Sequence, residues 1–145
     1  MNVINEAYSW IKTPYHSGAK LKGVGVDCGQ LLIAVYENAG YLAAGECDPG
    51  YYSPEWHLHK SEEKYLGWIE RYCDPITGDP EPGDIVLFKF GRCVSHGGIF
   101  VGENKIIHAY VGMGVIESAL NESLFFDKKG QSRLYGIYRP RQVGT

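Results

Sequence analysis

The chain has 145 residues, of which 44% are hydrophobic and 21% charged, with 11 Tyr, 3 Trp and 19 Gly. That length suits one domain spanning 1–145 around one core, and a net charge of −3 leaves no electrostatic footprint for nucleic acid. No apolar stretch reaches membrane-spanning length. Residues 1–6 lack the basic and apolar regions of a secretory signal, so cytoplasmic synthesis without one is expected.

Residues 2–12 place Val3, Ile4, Ala7, Tyr8 and Ile11 at helical spacing, with Asn2 as N-cap and Thr13-Pro14 as the stop. The Gly-rich stretch 18–25 reads as a loop. Residues 28–39 put Leu31, Leu32, Val35 and Ala39 on one face of a second helix, closed by Gly40. Turn formers and aromatics over 45–58, including Tyr51, Tyr52 and Trp56, read as a loop that could wall a cleft. Residues 60–72 read as a third helix, with Tyr65, Leu66, Ile69 and Tyr72 inward.

From Pro80 the period changes. A turn over 80–84 precedes the apolar run Ile85-Val86-Leu87-Phe88. Residues 97–101 and 105–111 read as two strands of a hairpin turning at Gly102-Glu103-Asn104. Residues 114–118 and 135–139 bring the total to about five strands, while 119–134 is an excursion without a clear pattern. Helices first and strands after give an α+β class.

Cys28 carries the chemistry. A lone cysteine is most often a buried structural residue, but this one follows Gly23-Val24-Gly25-Val26-Asp27 and opens a helix. There the helix dipole and unpaired N–H groups favour a thiolate and can serve as oxyanion donors. His96, in Ser95-His96-Gly97-Gly98, has small neighbours that leave room for substrate and is the expected base. His108 lies twelve residues on, past the hairpin turn, and is expected to orient His96. Cys, base and orienting group are the parts of a cysteine hydrolase.

Other readings of these residues exist. Cys93-x-x-His96 with His108 and Cys28 has the donor types of a zinc site, although no second close pair supports it. His57-Leu58-His59 reads as polar loop, and His16 as a residue bordering the cleft. The four cysteines, at 28, 47, 73 and 93, are widely and irregularly spaced, which suits reduced thiols.

Pro14-Tyr15, Asp27-Cys28, Pro82-Gly83-Asp84-Ile85-Val86, Ser95-His96-Gly97-Gly98-Ile99 and Ile107-His108-Ala109, in this order, resemble the NlpC-type family of papain-like cell-wall cysteine peptidases. The resemblance implies N-terminal helices packed on a central antiparallel sheet. It implies Cys28 as nucleophile, His96 as base and His108 as orienting residue, with no metal or cofactor. Tyr15 would join the Cys28 N–H in stabilising the oxyanion. Asp27, Gly29 and Ser95 would border the substrate, a peptidoglycan stem peptide. Many members carry Ser-Gly after Asp-Cys where this chain has Gly29-Gln30, a departure at the stem-peptide amine site. The Asp27-Cys28-Gly29-Gln30-Leu31-Leu32 run resembles members from phage tails, prophages and gene-transfer agents, implying tail-tip proteins as partners. A catalytically weak tail-assembly protein, or an acyltransferase or hydrolase on small amides or lipids, are the alternatives.

Overall fold

The computed structural model describes residues 2–49, 64–91 and 93–141. Helix α1 (Val3–Tyr8) is capped by Asn2, whose side chain accepts from the N–H groups of Ile4 and Asn5. It is shorter than its apolar spacing predicts, because hydrogen-bonded turns carry the chain from Ser9 to Thr13. The stretch read as a loop over 18–25 contains a small ladder. Strand β1 (Lys20–Leu21) pairs antiparallel with β2 (Gly25–Val26). Two-residue strands are too short to leave a periodic signal. Helix α2 (Cys28–Asn38) follows at once, and α3 (Lys64–Tyr72) is the described part of the third predicted helix.

Six strands then form one antiparallel sheet: β3 (Cys73–Ile76), β4 (Ile85–Phe90), β5 (Cys93–Gly102), β6 (Lys105–Tyr110), β7 (Gly114–Ala119) and β8 (Leu134–Pro140), in the order β3-β8-β4-β5-β6-β7. The expected count of about five misses β3, because Asp74-Pro75 reads as a turn. Proline is tolerated there since, among the described residues, β3 lies at the edge of the sheet and pairs with β8.

Both faces of the sheet are covered, which explains why β4 is apolar throughout instead of alternating. Ile85 and Leu87 join the core under α2 and α3, together with Leu31, Leu32, Val35, Leu66, Ile69, Ile99 and Ile107. Val86 and Phe88 face the other way, into a second cluster with Phe100, Ile106 and Phe125. Phe125 comes from a 3-10 turn at Ser123–Phe125, inside the excursion the sequence left unplaced. It stacks on Phe88 with ring centroids 4.5 Å apart. A bidentate pair from Arg139 to the buried Asp84 ties β8 to the start of β4, both contacts at 2.9 Å. The Tyr36 hydroxyl donates to the Gly83 carbonyl at 2.6 Å and fixes α2 over that turn.

Candidate active site

Asp27 makes the start of α2. Its Oδ1 accepts the Gln30 N–H at 2.8 Å and its Oδ2 accepts the Gly18 N–H at 2.7 Å. One carboxylate thus caps the helix and pins the preceding loop against it. The pattern Asp27-x-x-Gln30 has the spacing of a capping box, a signal the sequence reading passed over. Cys28 becomes the first helical residue, with Gly29 next along the helix.

The Cys28 thiol is 8% exposed. Its Sγ–H donates to the Ser95 carbonyl at 3.5 Å, at the backbone step leading into His96. That carbonyl is available because of a β-bulge. Phe88 pairs with His96 and Lys89 with Val94, so Ser95 is the extra residue without a partner on β4. Ser95 Oγ turns back to the Phe90 carbonyl at 3.3 Å.

The histidines come together as a buried pair. The turn at Glu103-Asn104, both with positive φ (54° and 61°), sets Ile99 opposite Ile107. His96 and His108 therefore point to one face, and His96 Nε2 lies 2.7 Å from His108 Nδ1. Gly98 makes the approach possible, since a Cβ there would stand 2.8 Å from Ile106 Cδ1 and 3.1 Å from His108 Cβ. His108 Nε2 continues to Ser118 Oγ at 2.8 Å. Ser118 is absent from the sequence-based site. It sits on β7 opposite Ile106, diagonal to His108, and only the strand register reveals it. Phe90 and Tyr110 meet the His96 ring edge-on, with centroids 5.5 and 5.7 Å away, and Phe125 closes the far side of His108 at 5.5 Å.

Two proton arrangements fit this chain of contacts. In one, His96 Nε2–H donates to His108 Nδ1 and His108 Nε2–H donates to Ser118, leaving His96 Nδ1 bare. In the other all donors reverse. In either, Nδ1 is the His96 nitrogen that the pair leaves for other chemistry.

Burial sets the charges. It holds the His96 imidazole well below the usual histidine range, with His108 adding to the effect. Burial lowers His108 to about 4. It pushes the Cys28 thiol up to about 12, reinforced by the Asp27 carboxylate and opposed by hydrogen bonds that include those from the Gly29 and Cys28 N–H groups. At neutral pH burial therefore favours a protonated Cys28 thiol and a neutral imidazole pair, not the thiolate that the helix dipole alone suggests.

Tyr15 is half-buried and its backbone bridges Val26, two residues before Cys28. Burial, then the Cys28 and Asp27 charges, oppose its ionisation, so it keeps its O–H for donation. His16 is exposed at the neighbouring position. His57, His59 and the aromatic stretch 51–56 lie outside the described residues. Among the described residues, no group of three or more His, Cys, Asp or Glu side chains converges to hold a metal ion. Cys28, Cys47, Cys73 and Cys93 are all buried and unbridged.

This fold and these motifs have relatives. The NlpC1 protein from Trichomonas vaginalis superposes with a TM-score of 0.66 at 19% identity, over 95% of this chain and 42% of that one. The NlpC/p60 domain of the peptidoglycan hydrolase SagA superposes with a TM-score of 0.62 at 19% identity, over 97% of both chains. These likenesses establish the papain-like α+β architecture. In sequence, the chain is 39% identical over 51 residues to the murein DD-endopeptidase MepS/murein LD-carboxypeptidase of Escherichia coli strain K12, covering 35% of this chain and 27% of that protein. It is 26% identical over 132 residues to the probable endopeptidase NlpC homolog of Haemophilus influenzae, covering 91% of this chain and 59% of that protein. The chain thus spans about a quarter of the first protein's length and less than two thirds of the second's. The NlpC/P60 family profile matches residues 12–133, and this chain belongs to that family.

Proposed function

We propose that this protein is a cysteine peptidase or amidase that hydrolyses amide bonds in peptidoglycan stem peptides. One observation carries the reading. A thiol at the first position of a helix meets the strand that bears His96, and His96 is held by the buried chain His108–Ser118. The family supports the substrate class, since matched relatives are named as a murein endopeptidase and a gamma-DL-glutamyl hydrolase.

In this reading His96 Nδ1 accepts the Cys28 proton as sulfur attacks the amide carbonyl. His96 Nε2–H donates to His108 and His108 Nε2–H to Ser118, the arrangement that leaves Nδ1 bare. The Cys28 N–H and the Tyr15 hydroxyl receive the oxyanion. The imidazolium then protonates the departing amine, and a thioester remains on Cys28. Water attacks the thioester, gives its proton to His96, and releases the acid and the free thiol. The starting pair is neutral, so charge develops only during attack, inside a buried site where fixed donors act strongly. Asp27, Gly29 and Ser95 border the bound peptide, and the Asp27 charge beside Cys28 suits an amine end. Gly29 offers no hydroxyl to this contact. The Asp27–Leu32 run supports a further reading, that the enzyme reaches the wall as part of a phage-like tail.

The test is digestion of purified peptidoglycan, with released fragments identified by mass spectrometry. Wild type should release stem-peptide fragments, and Cys28→Ala should lower the rate by at least about 10³-fold. Equal release by the variant removes Cys28 from the mechanism. Co-purification with tail-tip proteins from induced lysogens tests the particle-borne role.

A further inference from the structure

The third helix brings a second tyrosine to the site, one the sequence reading treated only as core. Tyr65 is 3% exposed. Its ring Cε2 lies 3.5 Å from where a Cβ on Gly29 would stand, and its hydroxyl oxygen lies 2.9 Å from where a Cβ on Gly97 would stand. Gly29 follows Cys28, and Gly97 follows His96. The hydroxyl therefore enters between the backbone of the thiol and the backbone of the imidazole, through space that Gly97 leaves open by having no side chain.

A buried O–H seeks an acceptor. The Cys28 thiol spends its single hydrogen on the Ser95 carbonyl, which leaves the sulfur lone pairs to receive. We propose that the Tyr65 hydroxyl donates a hydrogen bond to the Cys28 sulfur and stabilises the thiolate as it forms. The inference rests on Cys28 being the nucleophile proposed above. It gives the site a sulfur-directed donor separate from Tyr15, which is assigned to the oxyanion. The direction of the interaction agrees, because a hydrogen bond from Tyr65 favours the charged form of Cys28 against burial. A phenylalanine would fill the same volume on α3 and could not make this bond.

The experiment is a pH series of Cys28 alkylation, read by mass spectrometry with Cys47, Cys73 and Cys93 as internal references. Tyr65→Phe should raise the Cys28 midpoint by about one pH unit and slow alkylation below that midpoint about tenfold. Its hydrolysis should fall in kcat with little change in KM. Leu66→Ala, which loosens the same helix without touching the hydroxyl, should leave the midpoint where it is. A Tyr65→Phe profile that superposes on wild type overturns the proposal, as does a Leu66→Ala shift of equal size. Failure of the peptidase reading would appear separately, as wild-type protein that cleaves no peptidoglycan.

Discussion

The two halves of the site are built differently. The cysteine half is local. Asp27 caps α2 and ties down Gly18, and Cys28 is presented by a helix start that contacts within residues 18–30 explain. The histidine half is assembled at long range. His96, His108 and Ser118 come from three strands and meet only because a tight turn, a bulge and the bare Gly98 set the register. A local site is robust to changes elsewhere and sensitive to its cap. A register-built site is coupled to the stability of the whole sheet.

Substitution at His108 should show that coupling most strongly. His108→Ala leaves a hole against Phe125 and removes the partner of His96 Nε2. Hydrolysis should fall about 10³-fold, and unfolding by denaturant should show a loss of about 2–4 kcal/mol. Cys28→Ala, by contrast, should remove activity with little change in stability. If His108→Ala unfolds at the wild-type midpoint, the two halves do not differ in this way.

Acid should separate them next. The folded His108 has its pKa lowered from 6.5 to about 4, so the unfolded chain binds more protons between those values. Its contribution is complete above pH 6.5 and is lost progressively as pH falls towards 4, by about 3 kcal/mol. The slope should appear in denaturant midpoints measured across that window and should become shallower in His108→Gln, the remainder belonging to buried His96. Activity should persist below pH 6.5 for the same reason, since the imidazoles stay neutral there.

Smaller effects sharpen the cysteine side. Asp27→Ala should cost about 1–2 kcal/mol through loss of the cap, whereas Asp27→Asn keeps the oxygen facing the Gln30 N–H but turns an NH2 group towards the Gly18 N–H, and should recover only part of that loss in thermal unfolding. Ser118→Ala should be milder still, at about 1 kcal/mol. It should reduce kcat several-fold without changing KM, because it acts on the His108 tautomer and not on substrate. A change in KM alone would place Ser118 outside the proton chain.

Much of this was legible beforehand. The α2 face, the apolar run of β4 and the β5–β6 hairpin are patterns of consecutive residues. So is the placement of a thiol at a helix start. Cys28, His96 and His108 were named on that basis, and the structure puts the two histidines in contact and the thiol at the carbonyl before His96. The edge strand β3 was missed because Asp74-Pro75 carries the local signature of a turn, and only pairing with β8 overrides it. Residues 119–134 had no period to read, since they deliver Phe125, with Leu120, Leu124 and Phe126 packed around it, to the far side of the sheet by an irregular path.

The amino-acid sequence by itself determined which chemistry was present and where the chain would bend: a cysteine behind a capping aspartate, two histidines flanking a hairpin, glycines where side chains would collide. Tertiary structure alone decided how those groups behave. Burial on both faces of the sheet makes the resting pair neutral, because low-dielectric surroundings penalise charge whatever the local sequence prefers. Strand register alone brings Ser118 to His108, and helix packing alone brings Tyr65 to Cys28. These contacts join residues ten and thirty-seven positions apart, and no local pattern encodes a distance that only the packed sheet and helices define.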